Sequence, residues 1–220
     1  MRRSSPQGKR SSRYMQSGHL QSVEQRIDVA PYRTGDMAVG DTASVLAISW
    51  GKGDPHKDAT TIVFVDEQGR MREHTKLDNL ADPESSDEFI DILRRRKPSV
   101  IVIGGFTVAT ARLSQMVKNI INPKPPQEGD QSRGNIETHT NREAFDIPVT
   151  YVHDDVARIY QHSKRAADEF SALSPTAKYC VGLARYIQSP LNEYAALGPD
   201  IAVISFENED HHLVRIPQVS

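Results

Sequence analysis

The stretch Val45-Leu46-Ala47-Ile48-Ser49-Trp50-Gly51 decides how this chain is read. Six residues without a charge, then a glycine, describe a strand buried on both faces that breaks into a loop. Ala59-Thr60-Thr61-Ile62-Val63-Phe64-Val65-Asp66 follows, β-branched and aromatic as a strand requires. Glu67-Gln68-Gly69-Arg70 supplies a hairpin turn, with Gly69 free to take positive φ. Met71 to Leu77 alternates apolar residues with Arg72, Glu73 and Lys76, as a half-exposed returning strand does. These segments predict a three-strand antiparallel meander.

Helical periodicity starts downstream. Ser85 or Ser86 is expected to cap a helix with Phe89, Ile90, Ile92 and Leu93 on its apolar face. Arg94-Arg95-Arg96-Lys97 closes it, where cations complement the dipole and could also meet phosphates. Val100 to Ile103 reads as a fourth strand ended by Gly104-Gly105, and about Thr107 to Ile121 as a second helix. The segment 123–146 is rich in proline, glycine, asparagine and glutamine and reads as a disordered insertion. Ile147 to Val152 predicts a fifth strand, and Asp154 or Asp155 the cap of a further helix. Pro175 opens a last strong helix, Thr176 to Ser189, in which Tyr179, Cys180, Leu183 and Ile187 share the core face. A hairpin meander followed by right-handed crossovers gives one mixed five-stranded α/β sheet with helices on both faces, the ribonuclease H-like fold.

Composition narrows the function classes. The 220 residues suffice for one domain with tails, and the low mean hydropathy of −0.54 points to some disordered length. No apolar run reaches the roughly 18–20 residues of a membrane span. The single Cys180 excludes an internal disulfide framework. Net charge is −2, but residues 1–20 carry +5, which leaves −7 on the rest. So acidic a body lacks the electrostatic footprint of a strong duplex binder. Residues 1–26 are expected as a disordered basic leader, 27–43 as an extended lead-in, and 44–191 as the folded domain.

Metal nucleases of this fold take carboxylates from the end of the first strand, the end of the fourth, and a late helix, and hold two cations between them. Ser49 and Gly105 occupy the first two places, and Thr176 to Ser189 contains no acid. A hydroxyl substitutes poorly for a carboxylate on a hard cation such as Mg²⁺. The expectation is a degenerate site with no catalytic residue, no metal and no cofactor. Asp54-Pro55-His56-Lys57-Asp58 and His153-Asp154-Asp155 could relocate a metal site, but short acids at such places favour turns and helix caps. Gly51-Lys52-Gly53 is not a phosphate loop of the Walker type, because a strand follows it instead of a helix. His211-His212 has no matching ligands. If a substrate groove persists, Lys52, Lys57 and Arg112 are the candidates to line it and contact nucleic acid weakly.

Longer strings add a resemblance. Ser49-Trp50-Gly51-Lys52-Gly53-Asp54, Glu73 to Leu80, Val102-Ile103-Gly104-Gly105-Phe106 and Leu183 to Tyr194 together resemble the YqgF-like (RuvC-like, RNase H-fold) domain of the eukaryotic transcription elongation factor and histone chaperone family Spt-six. The similarity runs from about Ile27 to Phe206, with 123–146 poorly matched. It implies a nuclear module without catalysis, working with the RNA polymerase II elongation complex and histones, and away from membranes. Other domains of that family have no counterpart here, so a fragment is expected, with 192–220 as a linker. Within it, Ile201-Ala202-Val203-Ile204-Ser205-Phe206 is an apolar run expected to pack on a following domain, or to fold back on this one.

Overall fold

A computed structural model describes residues 29–51, 59–123 and 144–204. The basic leader, Lys52, the acids and His56 of the first loop, Lys57, nearly all of the expected insertion, Ser205, Phe206 and the His211-His212 pair lie outside the described residues.

Five strands form one sheet: β1 (Val45–Ser49), β2 (Thr60–Val65), β3 (Met71–Leu77), β4 (Val100–Gly104) and β5 (Val149–Val152). Their order is β3-β2-β1-β4-β5. The meander is antiparallel, whereas β1 and β4 run parallel, as do β4 and β5. β1 is central, so its residues are buried on both sides, as its uncharged run predicts.

The two-residue period of the strands sorts the core into two layers. Val45, Ala47, Val63, Val65, Val100 and Val102 face one side and meet a helical layer built on α5 (Pro175–Gln188). Leu46, Ile48, Ile62, Phe64, Ile101 and Ile103 face the other side and meet α1 (Pro83–Arg96) and α2 (Val108–Ile121). Small side chains thus line the face where a helix approaches closely. Gly182 on α5 belongs to that approach, since a Cβ there would lie 3.0 Å from the Ala157 backbone. The expected core face of α5 holds: Cys180, Leu183 and Ile187 are buried and Tyr179 partly so.

The hairpin turn forms as expected, with Gly69 at φ 74°. Its organiser is Asp66, whose Oδ1 accepts from the backbone N–H of Gln68 at 3.0 Å and of Arg70 at 2.9 Å. The first helix starts earlier than the serines predict. Pro83 opens it, preorganised in φ and needing no N–H partner, and the cap position falls to Asp82 without a side-chain capping bond. The second helix, expected from about Thr107, starts at Val108, and Thr107 caps it in a reciprocal capping box with Thr110. After β5 come α3 (Asp155–Tyr160) and α4 (Lys164–Glu169). The sequence reading missed α4, whose only local signal is the Ser163 cap. Beyond α5, Pro190 opens α6 (Pro190–Leu197), and Gly198 ends it at φ 56°. In the described part of the apolar run at 201–206, Gly198–Val203 is a 3-10 turn, and Ile204 is buried with Tyr194 and Leu197 in the α5 layer.

Candidate functional site

Parallel pairing of β1 with β4 and of β4 with β5 brings three strand ends to one edge of the sheet, where open α/β sheets form their crevices. A cleft of about 390 Å³ opens there. Ile48, Trp50, Ile103 and Leu113 form its apolar wall, and Ser49, Thr107, Thr110, Asp154, Arg158 and Tyr179 its polar side.

Ser49 is buried at the end of β1, and its Oγ accepts from the N–H of Gly51 at 3.0 Å. The hydroxyl closes the local turn. Gly105 takes φ 82°, and a Cβ there would lie 3.4 Å from an Asp154 carboxylate oxygen. Gly104 is still more constrained, because a Cβ would lie 2.2 Å from Tyr179 Oη and under 3 Å from both methyls of Leu183. Tyr179, from α5, therefore fills the space that a side chain on the end of β4 would need.

Among the described residues, Asp154 is the carboxylate that faces the cleft. As a capping residue it departs from expectation, since its side chain makes no cap bond to α3. One oxygen instead accepts from Tyr179 Oη at 2.8 Å and from Arg158 Nε at 2.7 Å. Burial, and then the neighbouring carboxylate, push the Tyr179 phenol far above its ordinary value, so it stays a donor. The hydrogen bond that Arg158 donates to Asp154 raises the guanidinium in turn. The acid is thus neutralised and held.

Among the described residues, no group of three or more His, Cys, Asp or Glu is placed to hold a metal ion. The donor set of the cleft does not fit the two-cation centre of nucleases with this fold: it offers a turn-bound serine, two glycines and one carboxylate committed to arginine. Of the three proposed groove cations, Arg112 is the one described. It lies on the exposed face of α2 and not among the residues lining the cleft. Among the described residues, the cation at the cleft is Arg158, which stands four residues after Asp154, a spacing that the sequence displays openly. The joining of that pair to Tyr179 is visible only in three dimensions.

The remaining charge clusters are structural. Arg95 and Arg96 of α1 both reach Glu73 on β3, and Arg96 also lies 5.6 Å over the Phe64 ring, so much of the basic run at that helix end is spent on the sheet. On the opposite layer, Arg185 donates to Glu169 and to the Gly69 carbonyl at 2.9 Å, while Arg165 donates to Glu193 through both terminal nitrogens. These bonds tie α4, α5, α6 and the β2–β3 hairpin into one body. No described helix is long and apolar enough to cross a membrane.

Comparison with known proteins gives several relatives. A transcription elongation factor spt-6 of Neurospora crassa is 38% identical over 192 residues, covering 86% of this chain, and the Gibberella zeae SPT6 is 38% identical over 185 residues, covering 82%. The Schizosaccharomyces pombe spt6 is 37% identical over 190 residues. The chain spans about 13% of the length of these relatives. Among solved structures, a Fowlpox virus resolvase in complex with Holliday junction DNA aligns over 67% of this chain and 99% of its own, with a TM-score of 0.34 and 11% identity, too loose a superposition to support anything further. The family described as YqgF, Holliday-junction resolvase-like of SPT6, matches residues 39–198, and the chain belongs to that family.

Proposed function

We propose that this chain is a catalytically inactive RNase H-like module of a transcription elongation factor and histone chaperone, acting in the nucleus with RNA polymerase II on chromatin. The observation that carries the inactivity is the Asp154–Arg158–Tyr179 arrangement beside Ser49, Gly104 and Gly105. The acid of the cleft is bound internally, and the space for a second one at the end of β4 is filled. The role in elongation is supported by the names of the relatives, and the role within a larger assembly by the small share of their length that this chain spans. The domain then serves as a rigid body for protein contacts.

Incubation with Mg²⁺ or Mn²⁺ and labelled junction, duplex and single-stranded substrates tests the reading. No cleavage is expected. Metal-dependent cutting abolished by Asp154→Asn would install a residual nuclease of the RuvC type instead. A second reading, nucleic-acid binding without cleavage, is favoured by one observation: Phe106 and Val108, next to the cleft-lining Thr107, are 65% and 71% exposed.

A further inference from the structure

We infer that the cleft at the ends of β1 and β4 accommodates one unstacked base of a single-stranded nucleic acid, with Phe106 as the stacking platform for its neighbour. The inference rests on the second reading above and not on the loss of catalysis. Three observations converge on it.

The first is the Phe106 ring. It stands between the cleft-lining Gly104 and Thr107, largely in solvent. It is braced from the side by His153, with centroids 4.9 Å apart and planes at 59°, and by Tyr151 at 6.1 Å. A ring fixed by tilted neighbours and still mostly exposed loses little freedom on stacking, and every base offers a π face to it. Aliphatic anchors would be expected for a helical peptide.

The second is the cavity beside the ring. About 390 Å³ admits a nucleoside-sized group, and its walls divide as a base requires. Trp50 and Leu113 line it with apolar side chains, while the Asp154 carboxylate oxygen that neither Tyr179 nor Arg158 holds is left to meet the base edge.

The third is charge. Arg158 has 62% of its side chain in solvent even while it holds Asp154. Arg112 lies one turn beyond Val108 on the same exposed face of α2. Asp154 and Asp155 nearly balance these cations, so the mouth is not a strong phosphate funnel. Binding is then carried mainly by stacking, with two phosphate contacts from the described residues. That reconciles a nucleic-acid site with a body of charge −7.

Trp50, the sole tryptophan, lines the cleft and reports its occupancy. The intact chain would be titrated by tryptophan fluorescence with single-stranded RNA, single-stranded DNA and duplex DNA of equal length. Saturable micromolar binding of either single strand, weaker for duplex, is expected. The arms show whether a 2′-hydroxyl matters. Two phosphate contacts predict a slope of log affinity against log salt of about −1.4. Phe106→Ala, at an exposed site, should weaken binding roughly ten- to hundredfold. Ala109→Phe, which fills the cleft from α2, should abolish the fluorescence change. Absence of binding, duplex preferred over single strands, a slope several times steeper, or full affinity in Phe106→Ala would overturn the inference. A product gel on the same Mg²⁺-containing samples reads cleavage separately, so loss of the inactivity reading and loss of this one cannot be confused.

Discussion

Replacing Gly104 by alanine tests whether the end of β4 is closed by packing or merely lacks a carboxylate. Gly104 shows no left-handed φ, so alanine adds no backbone strain, and the effect is one of contact alone. The new Cβ would lie 2.2 Å from Tyr179 Oη and 2.7 and 2.9 Å from the Leu183 methyls. Leu183 is fully buried, and Tyr179 is tethered to Asp154 at 2.8 Å, so neither tip moves freely. Overpacking of this kind costs about 1–3 kcal/mol, and breaking the charge-assisted bond to Asp154 adds about 1.5 kcal/mol. A destabilisation of about 3 kcal/mol follows, or a fall in Tm of roughly 6–12 °C for a domain of this size. Tyr179→Phe removes the nearest atom and by itself should cost only about 1–2 kcal/mol, since Asp154 keeps Arg158. The double variant should therefore be more stable than the sum of the two singles by about 1 kcal/mol or more. Denaturant unfolding of the four proteins measures the coupling. Additivity within about 0.5 kcal/mol, or Gly104→Ala as stable as the parent, would refute a plugged site.

Two further outcomes follow from the same structure. Burial opposes the charge of Glu73, but bonds from Arg96 and Arg95 outweigh it, and backbone N–H groups with Arg72 do the same for Asp66, so both carboxylates titrate below their ordinary values. A depressed carboxylate contributes stability above its unfolded value of about 4 and loses it below, so Tm should be level near neutrality and fall with pH from about 4 downward, less steeply in Glu73→Gln. Cys180 is fully buried and its thiol is pushed up by that burial, so thiol reagents should leave the native chain unmodified at mildly alkaline pH and react once denaturant unfolds it. Native-state labelling by mass spectrometry would contradict the placement of α5.

The sequence by itself determined the sheet and most of its cover. An all-apolar run at Val45–Ser49, alternation at Met71–Leu77 and a glycine turn at 69 are local signals, because side-chain direction in a strand and φ in a turn are set by immediate neighbours. The lack of a carboxylate at Ser49 and Gly105, by the ends of β1 and β4, was legible in the same way, as residue types. The start of α1 and the short α4 were not, because a proline at the first helical position and a lone serine cap compete weakly with other turn chemistry. What fills the space at the end of β4 was decided only in three dimensions. Asp154 looks like a helix cap in the sequence and Tyr179 like a core residue, yet the crossovers that carry β5 and α5 to the end of β4 turn the two side chains on each other across 25 positions. The tight fit of Gly104 against Tyr179 has the same origin. Pairing across such separations depends on how whole elements pack, and no local period records it.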